Sequence, residues 1–158
     1  MAAPAKYLPT KPVILDSGPL GQLCNPSPRR HLEIKLWLAN LCALELPVIV
    51  PAVVDYEVRR NLMLAGLAAS LELLDEIGAR VTLLAPSTGV YQSAAGIWAQ
   101  ARRHGRSTSH PLDLDVDVIV AAIAIETGGI VATDNVAHLA RFVDARPWYA
   151  ITPAVLGI

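Results

Sequence analysis

Charge is scarce in this chain. Of its 158 residues only 17% are charged, and they nearly cancel, leaving a net charge of −1. A global electrostatic pull on nucleic acid is thereby excluded, and any grip on phosphates has to come from a local basic patch. Cysteine is scarce too. Cys24 and Cys42 form no CxxC pair and have no metal-ligand spacing, which fits two ordinary thiols in a reducing cytoplasmic setting. No apolar run reaches the roughly 18 residues needed to span a bilayer, so no membrane association is expected. The first ten residues, MAAPAKYLPT, hold two prolines and no long apolar segment, which argues against a signal peptide. Several catalytic signatures are also missing. His31, His104, His110 and His138 lack HExxH-type spacing, no GxSxG elbow surrounds Ser17, and Gly18-Pro19-Leu20-Gly21 lacks the lysine of a phosphate-binding loop. No internal repeat or low-complexity segment interrupts the chain.

What is present is a dense apolar composition, 53% of residues. That suffices for one domain with a full core over 1–158, with 1–11 as a loose lead-in. Short apolar runs alternate with helical periodicity. Pro12–Leu15, Leu46–Val50, Val81–Leu84 and Ile130–Ala132 read as buried strands, with Tyr149–Ile151 as a last edge strand. Helical spacing covers 31–45, a stretch from Pro51 past Leu62, 67–77 with Gly78 as its C-cap, 88–104, the segment after Asp117, and 137–142. The expected fold class is α/β, with a mostly parallel sheet and helices on both faces. The 31–45 helix is apolar on more than one stripe. It is either buried on two sides or meets a partner chain.

The chemistry lies in the placement of the acids. In HPLDLDVDVIVAAIAIETGGIVATDN (110–135), Asp113, Asp115 and Asp117 stand just before or at the start of a helix, and Asp134 just after a strand. Asp16 ends the first strand, and Glu57 lies about two turns into the helix after the second. In a parallel sheet the carboxyl ends of the strands share one edge with the amino ends of the helices. Asp16, Asp117 and Asp134 converge there, with Glu57 in reach. Each acid alone also has a structural reading. Asp16 forms an Asx-turn or cap, Asp113 and Asp115 cap a helix, Asp134 occupies a plain turn, and Glu57 is solvated. Together they repel unless a cation neutralises them. Hard oxygen ligands suit Mg²⁺ or Mn²⁺, and such sites serve phosphodiester hydrolysis. Arg102, Arg103 and Arg106, with Arg59 and Arg60, form a candidate basic rim for phosphates, although helix-end cations are equally a solvated feature. His138, four residues past Asp134, is the one histidine placed near this group. Asp55, Glu72, Asp75 and Glu76 read as solvated faces.

VILDSGPL (13–20), VPAVVDYEVRR (50–60) and DLDVDVIVAAIAIETGGIVATDNVAHLARF (113–142) together resemble the PIN-domain ribonucleases, in particular VapC-type toxins of toxin–antitoxin pairs. The resemblance runs over roughly 12–143. It implies a three-layer α/β/α sandwich and a Mg²⁺- or Mn²⁺-dependent endoribonuclease acting on RNA, commonly a homodimer restrained by an antitoxin. Carried over by position, it implies Asp16, Glu57 and Asp117 as metal acids, with Asp134 or Asn135 as the fourth. Asp115 is an extra acid, so the exact ligand set stays open. Ser17 and Thr133 resemble the small polar residues flanking the first and fourth acids. Two other classes remain: a catalytically silent PIN-like scaffold that binds RNA or protein, and a phosphatase. The second is disfavoured because no DxDx[TV] motif stands at a strand end.

Overall fold

The computed structural model describes residues 10–105 and 111–158, with the side chains of 111–114 outside that description. Val13, Ile14 and Leu15 form β1 (Val13–Leu15), the middle strand, and all three are fully buried. A continuous apolar triplet of this kind belongs in a parallel sheet covered on both faces. β2 (Val48–Pro51) pairs with β1 in the register Val13 to Val48, and β4 (Ile130–Ala132) pairs on the other side in the register Val13 to Ile130. β3 (Thr82–Leu84) and the two-residue β5 (Ala145–Arg146) complete the edges. The order is β3-β2-β1-β4-β5 and every pair is parallel, the sheet of a three-layer α/β/α, PIN-like fold. The strand order reverses between β1 and β4, where open α/β sheets leave a crevice at the carboxyl ends.

The helices follow their sequence signals closely in most places. They are α1 (Ser17–Leu23), α2 (Leu32–Ala43), α3 (Ala52–Leu64), α4 (Ala68–Arg80), α5 (Thr88–Arg103), α6 (Pro111–Thr127), α7 (Val136–Leu139) and α8 (Pro153–Leu156). α5 starts at Ser87, whose hydroxyl accepts from the Val90 amide at 3.1 Å, a standard N-cap bond. α6 is apolar all round because α5 packs along it and the sheet and α3 close its other sides; Val118, Val120, Ala121, Ala122, Ile123 and Ala124 are buried. It ends at Gly128, where a positive φ of 67° suits glycine. α2 buries Ile34, Leu38 and Leu41, while Leu32, Leu36 and Leu44 face solvent, so its second stripe is not covered by the described chain.

Four expectations need correction. Asp16-Ser17-Gly18-Pro19 is not a simple turn but the start of α1. α6 begins at Pro111, so Asp113 falls in its first turn, at the helix start but not as its N-cap, while Asp115 and Asp117 lie further into the helix than expected. Gly78 does not end α4; glycine permits a left-handed cap without requiring one, and the helix runs on to Arg80. Tyr149–Ile151 is not a strand. Trp148–Ala150 is a 3-10 turn pinned by Trp37, whose Nε1 donates to the Ile151 carbonyl at 2.9 Å and whose ring lies 5.8 Å from that of Trp148. The edge position belongs to Ala145–Arg146. No described helix is long and apolar enough to cross a membrane.

Candidate active site at the carboxyl edge of the sheet

Asp16 leaves the end of β1 and caps α1, so both its oxygens are committed. Oδ1 accepts from the Ser17 amide at 2.9 Å, and Oδ2 accepts from the Thr133 hydroxyl at 2.7 Å. The latter bond joins residues 117 apart in sequence and ties the end of β1 to the end of β4. The residue as a whole is only 7% exposed. Burial raises its pKa above the ordinary aspartate value, and the nearby Asp134 charge pushes the same way. The two hydrogen bonds oppose the shift without cancelling it.

Above Asp16 lies a cavity of about 240 Å³. It is lined by Asp16, Ser17, Gly18, Glu57, Val116, Asp117, Asp134, Asn135 and His138. The four expected acids therefore line one cavity although they come from β1, α3, α6 and the turn after β4. Glu57 arrives because Pro51 ends β2 in extended conformation and starts α3 at once. Asp117 stands two turns into α6, and His138 Nδ1 lies 4.0 Å from its Oδ2. Asp134 Oδ2 accepts from Gln22 Nε2 at 2.8 Å and lies directly over Gly18; a Cβ on Gly18 would overlap that oxygen and sit 3.0 Å from its Cγ. Asn135 caps α7 without a side-chain bond, and its amide donates to the Thr133 hydroxyl at 2.9 Å.

Other candidates lie elsewhere. Thr133 is fully buried beneath the cavity, its hydroxyl shared between Asp16 and the Asn135 amide, so it supports the wall rather than touching a substrate. Asp115 is exposed and lines a separate hollow with Tyr91 and Trp98 between α5 and α6. The proposed basic rim does not meet the cavity among the described residues. Arg102 covers the Trp98 ring at 5.0 Å and Arg60 the Tyr56 ring at 5.2 Å, Arg103 is exposed, and Arg106 lies outside the described residues. Arg59 is held by Asp55 at 2.9 Å and Asp75 at 2.8 Å, which pins α3 to α4; Asp55 and Asp75 are thus structural partners rather than merely solvated acids. Cys24, buried near Asp55, has its thiol pushed up to about 12 chiefly by burial and is inert. The residues that sequence reasoning missed are Gly18 and Gln22. Both sit on α1, and the stretch that forms its first turn reads as a loop from its Gly-Pro content.

Whether these residues suit a metal is a question of donors and of distance. The wall offers carboxylate, amide and hydroxyl oxygens with one imidazole, and no Lys or Arg stands among its described lining residues. Carboxylates gathered around a small cavity suit a hard divalent cation. Among the described residues, however, no three His, Cys, Asp or Glu side chains stand close enough together to form a ready ligand set. The donors fit in kind and in place, but the carboxylates ring the cavity without closing on one point.

A five-stranded parallel sheet with acids gathered at its switch point defines the PIN-like class. The structural neighbours of the chain are VapC- and FitB-type PIN-domain toxins. FitAcB from Neisseria gonorrhoeae matches with a TM-score of 0.67 and 20% identity, over 88% of this chain and 99% of that one. VapBC2 from Rickettsia felis, solved bound to a DNA fragment from its promoter, matches with a TM-score of 0.71 and 15% identity, over 87% and 98%. Mycobacterium tuberculosis VapC20, described as a Sarcin-Ricin loop cleaving toxin, matches with a TM-score of 0.59 and 20% identity, over 85% and 99%. At these identities the likeness is one of fold. No protein-family model and no curated protein matches the chain.

Proposed function

We propose that this chain is a single-domain, Mg²⁺- or Mn²⁺-dependent endoribonuclease and the toxin member of a toxin–antitoxin pair, acting in the cytoplasm as a homodimer. One observation carries the reading: Asp16, Glu57, Asp117 and Asp134, from four separate segments, line a single cavity at the switch point of the sheet. The fold neighbours support the toxin part, since several were solved as VapBC or FitAB assemblies and one is described as cleaving the Sarcin-Ricin loop. Asp16, Glu57, Asp117 and Asp134 would hold the cation, which when bound supplies Lewis acidity toward water and the phosphodiester.

The chain's own contribution follows from the geometry. The Thr133 hydroxyl and Ser17 amide hold Asp16 with one carboxylate face toward the cavity and prevent its rotation. Burial at that position lowers the local dielectric, so the Asp16 carboxylate would interact strongly with a cation held beside it. Asp117 and His138 stand together in the lining and orient water or relay a proton. Replacing Asp16 or Asp117 by Asn should reduce Mn²⁺-dependent RNA cleavage by about 10²-fold or more, the scale of losing a positioned acid–base group, with the fold intact. Full cleavage by either variant would refute the assignment.

A second reading, a silent PIN-like scaffold that binds RNA or protein, draws on the carboxylates standing apart. Calorimetric titration with Mn²⁺ separates the two, because a scaffold shows no binding that depends on Asp16.

A further inference from the structure

Gln22 has no place in the expected ligand set, yet it makes the one described side-chain hydrogen bond to the fourth acid. Its Nε2 donates to Asp134 Oδ2 at 2.8 Å across 112 residues of sequence. Gln22 and Gly18 lie four apart on α1 and so share a face of the helix. The glycine leaves room for the Asp134 carboxylate to lie against the helix, and the glutamine grips it from one turn further on. The same seven-residue helix is capped by Asp16. α1 thus holds two acids from opposite ends of the chain at one edge of the cavity.

The chemistry of the partner matters. Asp55 and Asp75 share Arg59, and Asp144 is bound by Arg146, so a cation stands against each of them. Asp134 is bound by a neutral amide, which fixes one oxygen without offsetting its negative charge. Carboxylates that ligate metals are held by such outer hydrogen bonds as a rule. Asn135 offers no comparable arrangement: its side chain makes no capping bond and its backbone amide is spent on Thr133.

We propose that Gln22 is a positioning residue, which through Asp134 sets the fourth carboxylate of the cation site and makes Asp134, not Asn135, the acid that serves there. The proposal rests on the metal-dependent reading above. The test is calorimetric titration of the whole chain with MnCl₂, without RNA, on wild type, Gln22→Leu, Asp134→Ala and the double variant. Gln22→Leu should weaken Mn²⁺ binding by about 10- to 100-fold, the usual effect of losing an outer hydrogen bond. The same substitution should change affinity by less than about twofold once Asp134 is gone, because coupled residues are not additive. Gln22→Met, of similar reach but lacking a donor, serves as a second variant and should match Gln22→Leu. Unchanged affinity in both Gln22 variants, or an equal loss with and without Asp134, overturns the proposal. Binding that is present but indifferent to Asp16→Asn overturns instead the functional reading beneath it.

Discussion

Gly18 is where backbone and site requirements pull in opposite directions. It lies inside α1, where alanine is favoured over glycine by up to about 1 kcal/mol. A methyl group there would run into the Asp134 carboxylate, the movable end of an exposed side chain. Gly18→Ala should therefore leave urea stability unchanged or raise it by up to about 1 kcal/mol, while cutting Mn²⁺-dependent cleavage by about tenfold or more. Loss of stability and activity together would show that the glycine serves the fold instead. Asp16, Glu57, Asp117 and Asp134 were legible as candidates because strand ends and the order of the helices can be read from apolar runs, although α6 starts earlier than its apolar run does. Gly18 and Gln22 were not, because their roles depend on a contact with a residue more than a hundred positions away. The inward burial of Thr133 was equally hidden, since a Thr before an Asp reads as a polar turn.

At the scale of elements, legibility followed the strength of the apolar pattern. β1, β2, β3, β4 and α5 appeared within one or two residues of their expected places. α1 did not, because Ser-Gly-Pro suits a turn as well as the first turn of a helix, and only the N-cap bond of Asp16 decides between them. β5 was invisible, because two residues carry no period. The join between α6 and β4 shows how tightly elements meet. A Cβ on Gly129 would stand 2.9 Å from Ile14 Cδ1 and 2.9 Å from the Pro12 carbonyl oxygen, which already accepts the Ile130 amide. That oxygen cannot retreat without breaking the β1–β4 ladder. Gly129→Ala should cost about 1–3 kcal/mol in urea unfolding, the scale of overpacking a close junction. A neutral result would mean that the helix end slides freely over the sheet.

For the molecule as a whole, stability and site chemistry are linked through Asp16. Its folded pKa is raised, so just above pH 3.8 the folded chain keeps a proton that the unfolded chain has lost. Stability from this group therefore falls as pH rises through that window and stays reduced at neutral pH. Asp144 acts in the opposite sense: Arg146 lowers its pKa, so its contribution is lost on acidification. Comparing wild type with Asp16→Asn removes the Asp144 effect. Without metal, Asp16→Asn should melt higher at pH 7, with the difference shrinking toward pH 4. Mn²⁺ at a hundredfold excess over its Kd should return about 2.7 kcal/mol to the wild type, roughly 2–4 °C of melting temperature per kcal/mol, and nothing to the variant. A variant that melts lower at pH 7 would contradict the sign of the shift.

The bond between the Thr133 hydroxyl and Asp16 closes the first strand against the fourth. While the chain is being made, a polypeptide that has emerged only as far as α5 has no floor beneath Asp16 and no Asp117, Asp134 or His138 to face it. The pocket lining is complete only once β4 stands beside β1.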